Sequence, residues 1–180
     1  CFVNGTLGST PVAPLTVDAA PDADGKFSVA VGGNVVVPIF LTDANNYVLL
    51  PLSNAKIINA TLSADHNCIG KYNADALDPA SQCLPPEFTN AASLDAFITL
   101  EDADTVPIES LGKSLCALLT KTDDGGTPKK CPRDAGTNKI TSKGDWCAAT
   151  DAAATADCAD AFKLGADFAA SAVKITGDCP

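Results

Sequence analysis

The sequence predicts an α+β fold that is mainly β: an antiparallel sheet or sandwich with one C-terminal helix packed on it, stapled by disulfides. Three observations lead there. The first half is dense in β-branched residues punctuated by Gly, Pro and Asn, the grammar of short antiparallel strands. From Asp151 to Ala172 the chain turns alanine-rich, which reads as a helix. The 8 cysteines are spread over 180 residues with no close pair of the kind that clasps zinc.

In chain order, Asp22-Ala-Asp24-Gly25 has part of a calcium-loop pattern. Ala20 stands at its first ligand position and Val31 at its twelfth, so it reads as a turn before a strand. Phe27 to Val31 is that strand, and Gly32-Gly33-Asn34 turns it into Val35 to Leu41. Asn45-Asn46 leads into Tyr47 to Leu52. Pro38 and Pro51 cannot donate to a ladder and belong at edges, strand ends or bulges. Ala55 to Leu62 and Leu94 to Leu100 follow; in the latter Leu94, Ala96, Ile98 and Leu100 share one face. Ser114 to Leu119 reads as a further strand and Asp123 to Pro128 as a hairpin tip.

The predicted C-terminal helix has Thr150 or Asp151 as its cap. Its stripe of Cys158, Ala161, Phe162, Gly165, Ala169 and Ala172 is small enough to lie close against a sheet. Val173 to Thr176 is a last short strand. No repeat or linker interrupts the chain, so the expectation is one disulfide-stabilised domain over residues 1–180.

Charge excludes some partners. With 12 basic and 22 acidic residues the net charge is −10 and the pI near 4.3. Nucleic acid and anionic membranes recruit Lys and Arg, so neither is expected. No apolar run approaches the roughly 18 residues of a membrane span. Charge is also segregated: between Tyr72 and Gly112 there are acids and no base, while Lys113 to Lys143 holds most of the bases.

Cysteine parity points outside the cell. An even count and a first residue other than Met read as a mature secreted chain without its signal peptide. Cys1 could instead be the acylated cysteine of a lipoprotein, which would leave an odd number of thiols; parity favours four disulfides. The expected pairs are Cys68–Cys83, Cys116–Cys131, Cys147–Cys158 and Cys1–Cys179. Each of the first two closes a loop worth about 3 kcal/mol in the entropy account. Two sequons, Asn4-Gly5-Thr6 and Asn59-Ala60-Thr61, mark Asn4 and Asn59 as glycosylation candidates.

Catalytic signals are sparse. The single histidine, His66, has no nucleophile-elbow motif near it, so a loop histidine is the better reading. Glu101, Asp102 and Asp104 follow a strand and are the candidates for a carboxylate pair of the glycosidase kind. Their competing role is to form a turn or cap the next element, and calcium binding is a milder version of the same chemistry. Lys129, Lys130 and Arg133 form a basic loop, and Trp146 is the only tryptophan; these four are the binding candidates. Aromatics are 6% of the chain, thin for a sugar-stacking platform. No phosphate loop, dinucleotide fingerprint or histidine-containing metal motif occurs, so neither a cofactor nor a metal is expected.

The runs Cys68-Ile-Gly-Lys-Tyr-Asn73, Ile98-Thr-Leu-Glu-Asp-Ala-Asp104, Leu111-Gly-Lys-Ser-Leu-Cys116 and Gly144-Asp-Trp-Cys147 resemble small secreted cysteine-rich proteins of filamentous fungi. The likeness covers about residues 68 to 175. It implies an extracellular fungal protein facing a host or a cell wall, effector-like or surface-antigen-like, and it brings no catalytic residues with it.

The expectation is therefore a monomeric, non-enzymatic secreted protein that binds a wall polysaccharide or an extracellular host protein. The alternatives are a small hydrolase working through Glu101 to Asp104, and an inhibitor of secreted hydrolases presenting Thr122 to Lys130.

Overall fold

Val35 faces Leu52, Val37 faces Leu50 and Ile39 faces Val48 across a register that runs without a break from Asn34↔Ser53 to Phe40↔Tyr47. This is the hairpin that the β-branched runs predict. The computed structural model describes residues 5–7, 10–12, 17–40, 47–64, 68–73, 87–89 and 92–171. Asn45-Asn46 and the predicted strand Val173 to Thr176 lie outside them.

The fold is mainly antiparallel β with a few short helices. Strands β1 (Gly5–Leu7) and β2 (Thr10–Val12) pair with each other, as do β7 (Lys71–Asn73) and β8 (Glu87–Thr89). Strand β6 (Cys68–Ile69) pairs with β15 (Ala170–Ser171). The principal sheet holds β3 (Lys26–Ala30), β4 (Asn34–Phe40), β5 (Tyr47–Thr61), β9 (Ala92–Thr99), β12 (Trp146–Cys147), β13 (Ala152–Ala153) and β14 (Ala161–Phe168). Its order is β13-β12-β14-β9-β5-β3, with β4 also on β5.

Three expectations need correction here. Gly32-Gly33 does not close a hairpin between β3 and β4. Both glycines have positive φ, 73° and 62°, and the two strands pair with different stretches of the long β5. Ser114 to Leu119 is not a strand but helix α2 (Leu115–Thr120), started by the Ser114 side chain, which accepts the Ala117 N–H. A Ser placed just before an apolar run is a helix-start signal, and here it outweighs the β look of the run.

Among the described residues the predicted C-terminal helix does not form: Ala161–Phe168 is strand β14. Its burial alternates, with Phe162 and Leu164 half-buried while Lys163 and Gly165 are exposed. That is period two, the strand period. Alanine's helix preference is worth only tenths of a kcal/mol per residue, and pairing with β9 and β12 overrides it. Asp151 caps no helix; it adopts the left-handed region at φ 48°.

Contacts divide the chain into two compact units. The first draws on the described residues of Cys1–Val31, Lys56–Asp95 and Gly165–Pro180, the second on Gly32–Ala55 and Ala96–Leu164. The second unit contains the main buried cluster. Val48, Ile98, Leu100, Ala103, Val106, Ile108, Cys116 and Cys131 are buried, with Leu50, Leu115, Ile140, Phe162 and Leu164 packed against them. Around this cluster run α1 (Leu100–Thr105), the short β10 (Pro107–Ile108) and β11 (Lys113–Ser114) pair, and α2. Cys116–Cys131 and Cys147–Cys158 are disulfide-bonded, two of the four expected pairs.

In the first unit, β3 and β5 meet with a bulge. Phe27 faces Ala60 and Val29 faces Ile57, so Ile58 and Asn59 together oppose Ser28. Asn59 takes the left-handed conformation, φ 56°, which Asn tolerates better than most residues.

Candidate functional site

The acidic run opens helix α1. Thr99 is its N-cap: its hydroxyl oxygen accepts the Asp102 N–H at 3.0 Å and its hydroxyl donates to Asp102 Oδ2 at 2.7 Å. Asp102 is thereby occupied in capping. Asp104, two residues on, is 3% exposed. Its Oδ1 accepts the Ser114 hydroxyl at 2.8 Å and the Cys131 N–H at 2.8 Å. Its Oδ2 accepts Arg133 Nη2 at 3.0 Å. The same guanidinium reaches Glu101 Oε2 at 2.7 Å and the Asn138 carbonyl at 2.9 Å.

Burial alone pushes the Asp104 carboxyl up. Hydrogen bonds from the Cys131 N–H, the Ser114 hydroxyl and Arg133, with the guanidinium charge, more than offset it and leave the carboxyl below its ordinary range. Arg133 is raised, chiefly by its bonds to Glu101 and then to Asp104. Glu101, Asp104 and Arg133 are thus brought together, with the cation between the two acids. A buried carboxylate with three donors ties α1 to α2 and to the chain after Cys131. A general acid of the glycosidase kind needs its proton held by a raised pKa, and Asp104 is driven the other way.

The basic loop is likewise tied down. Lys113 and Lys129 converge on Asp123 Oδ2 at 3.5 and 3.3 Å. Asp124 Oδ1 accepts the N–H groups of Gly126 and Lys130 at 2.9 and 3.0 Å, and the Asp124 N–H donates to the Lys130 carbonyl at 2.9 Å. Those two N–H bonds hold the Asp124 carboxyl below its ordinary range. The Thr122 to Lys130 loop is therefore closed on itself, mostly exposed, and anchored through Cys131 to Cys116. Lys130 is exposed, and its charge adds to the lowering of the Asp124 carboxyl. Arg133, expected beside it as a binding group, belongs to the Asp104 cluster instead.

Trp146 lies half-buried on β12. Its indole N–H donates to Asp151 Oδ1 at 3.2 Å, and Asn54 Nδ2 donates to Asp151 Oδ2 at 2.6 Å. Lys163 Nζ sits 4.4 Å from the ring centroid, a cation–π distance. The Cys147–Cys158 bridge and the bond from the Ala148 N–H to Asp160 Oδ1 at 2.9 Å hold the adjoining loop. The chain approaches itself so closely at Gly144 that a side chain there would collide with the Ala161 carbonyl.

Asn59 is exposed at the β3–β5 bulge, whereas Asn4 lies outside the described residues. So do Cys1, Cys83, Cys179 and His66. Cys68 is a free, half-buried thiol rather than half of a bridge. Two groups of close ligand atoms, Asp104 with Cys116 and Cys131, and Asp160 with Cys147 and Cys158, use sulfurs already joined as disulfides, so they are not metal-ligand sets. Sequence reasoning missed Asn54, Asp151 and Lys163, because far-apart residues meet only through sheet pairing. Ser114 was within reach through its helix-start signal. Comparisons of the chain with protein-family models, with curated proteins and with solved structures give no match.

Proposed function

We propose that the chain is a secreted, non-enzymatic binding protein that takes a cell-wall polysaccharide on its Trp146 face. One observation carries the reading: the Asn54–Asp151–Trp146 relay fixes the indole plane at a partly exposed position. Rings fixed before binding lose little freedom when a sugar stacks on them, and the Lys163 ammonium over the ring helps to hold it in place. Disulfide bonding supports an extracellular location. The likeness to secreted fungal proteins supports a wall- or host-facing role.

The acids support binding over catalysis, since Asp102 caps a helix, Glu101 pairs with Arg133, and Asp104 is held ionised. The test is depletion from solution by insoluble chitin, β-glucan, cellulose and plant wall, with supernatants assayed for released sugar. Native protein is expected to leave solution on at least one of these without releasing sugar, and Trp146→Ala to remain behind while Trp146→Phe is partly retained. Sugar release abolished by Glu101→Gln would replace this reading with the hydrolase. No depletion on any polymer would move it to a protein partner.

A second reading, inhibition of secreted hydrolases, has its own observation: Thr122 to Lys130 is an exposed loop whose shape is set by Asp123 and Asp124 and whose base is a buried disulfide. Rigid loops of this kind bind enzymes with little ordering cost. Inhibition of secreted proteases or glycosidases by the native chain, lost in Lys130→Ala, is the expected sign.

A further inference from the structure

Strand β5 contains two asparagines with positive φ, Asn54 at 52° and Asn59 at 56°. Asn54 has its amide bound by Asp151 and is followed by Ala55 and Lys56. Asn59 is followed by Ala60 and Thr61, which completes a sequon, and its structural role is met by the backbone alone: the Asn59 N–H donates to Ser28 Oγ at 3.1 Å. Among the described residues neither the Asn59 amide nor the Thr61 hydroxyl has a hydrogen-bond partner. The bulge turns the Asn59 side chain outward while its neighbour Ala60 is fully buried.

Beside it lies a surface dish of about 450 Å³ lined by Asp22, Lys26, Phe27, Ser28, Asn59, Ala60 and Thr61. Pockets of this size accept small ligands, and Lys26, Ser28 and Thr61 offer hydroxyl and ammonium groups suited to sugar hydroxyls and an acetamide. We propose that Asn59 is N-glycosylated and that the first N-acetylglucosamine of its glycan rests in this dish, covering the bulge.

In the transfer the Asn59 amide nitrogen bonds to C1 of the sugar of a polyprenyl-diphosphate-linked oligosaccharide. The C1–O bond to phosphate breaks, the polyprenyl diphosphate leaves with the bonding pair, and the amide gives up one proton. Thr61 supplies the hydroxyl that the sequon requires. The inference shares with the binding proposal only the secretory route, and needs neither Trp146 nor any polysaccharide ligand.

The full chain, secreted from a eukaryotic host, is digested with trypsin, and the Ile57–Lys71 peptide is analysed before and after peptide N-glycosidase in heavy-oxygen water. The expected result is a glycopeptide that becomes a heavy-oxygen-labelled aspartate at position 59. Thr61→Val abolishes it and Thr61→Ser retains it. Ala135→Asn, which completes a sequon with Gly136 and Thr137 in an exposed loop, reports whether the host glycosylates this chain. Occupancy there with Asn59 bare overturns the proposal. For the seat, nuclear Overhauser contacts from the acetamide methyl to Ser28 and Thr61 are expected; a glycosylated Asn59 with no such contact overturns the placement, whatever the outcome of the depletion assay.

Discussion

At Asp104 one carboxylate closes three gaps at once. It is buried, and an unpaired charge there would cost several kcal/mol, so its three donors make it an anchor. Asp104→Asn removes the charge facing Arg133 and turns one acceptor into a donor aimed at a guanidinium. The expected loss is about 3 kcal/mol, read from chemical denaturation. Glu101→Gln, at a side chain 57% exposed, is expected to cost less than about 1 kcal/mol, because solvent screens such pairs. The Asp104 carboxyl titrates below its ordinary value of 3.8. Its stabilising share is therefore complete above that ordinary value and is lost as pH falls through the depressed folded value. Wild type should lose stability steeply at acid pH, and Asp104→Asn should show a shallower slope there. Equal slopes would place the acid transition on other carboxylates.

The elements around the anchor depend on single small residues. Ser114 both caps α2 and donates to Asp104, so Ser114→Ala removes a cap worth about 1 kcal/mol and a hydrogen bond to a buried charge. A combined loss of about 2 kcal/mol is expected, with reduced helical circular dichroism; a loss indistinguishable from zero would mean that water replaces the hydroxyl. Gly144 lets the chain pass against the Ala161 carbonyl, and Gly144→Ala has backbone to move rather than a flexible tip. Its cost should exceed that of Ser114→Ala and should loosen Trp146, seen as a red-shifted tryptophan emission.

These elements also show what was legible beforehand. The β4–β5 hairpin was written in Val35 to Leu41 and Tyr47 to Leu52, because period-two patterning needs no distant partner. Cys116–Cys131 and Cys147–Cys158 were among the expected pairs, but spacing alone does not decide a bridge: Cys68 and Cys83 are also 15 apart, and Cys68 is free. The acid run at Glu101 to Asp104 was visible as a cluster, and capping was one of its readings, but the cation that joins Glu101 to Asp104 comes from Arg133 across a disulfide. Six residues at Leu115 to Thr120 are too few for a period to decide. The alanine-rich tract from 151 misled because small residues fit either period. Its strand state is set by neighbours β9 and β12, and the one local sign of it is the short alternation of Phe162, Lys163, Leu164 and Gly165.

For the whole molecule the question is what a net charge of −10 does to binding. The bases of Lys113 to Lys143 offset part of it, yet three of them are committed: Lys113 and Lys129 to Asp123, Arg133 to Glu101 and Asp104. What faces a distant polymer is then the acidic excess, thinned only by exposed lysines such as Lys121, Lys130 and Lys139. Recognition through an aromatic ring and hydrogen bonds has little dependence on ionic strength, whereas long-range charge effects fade within a screening length of about 10 Å at 0.1 M salt. Depletion by a neutral wall polymer should accordingly change less than about twofold between low salt and roughly 0.5 M. An anionic polymer such as pectate should be bound poorly at low salt and no worse at high salt, since screening weakens repulsion. Tight pectate binding at low salt that salt abolishes would sink this account. It would mean that the Lys129–Lys130 loop releases Asp123 to meet a polyanion, and Lys130→Ala with Lys129→Ala would then remove the binding while Trp146→Ala spared it.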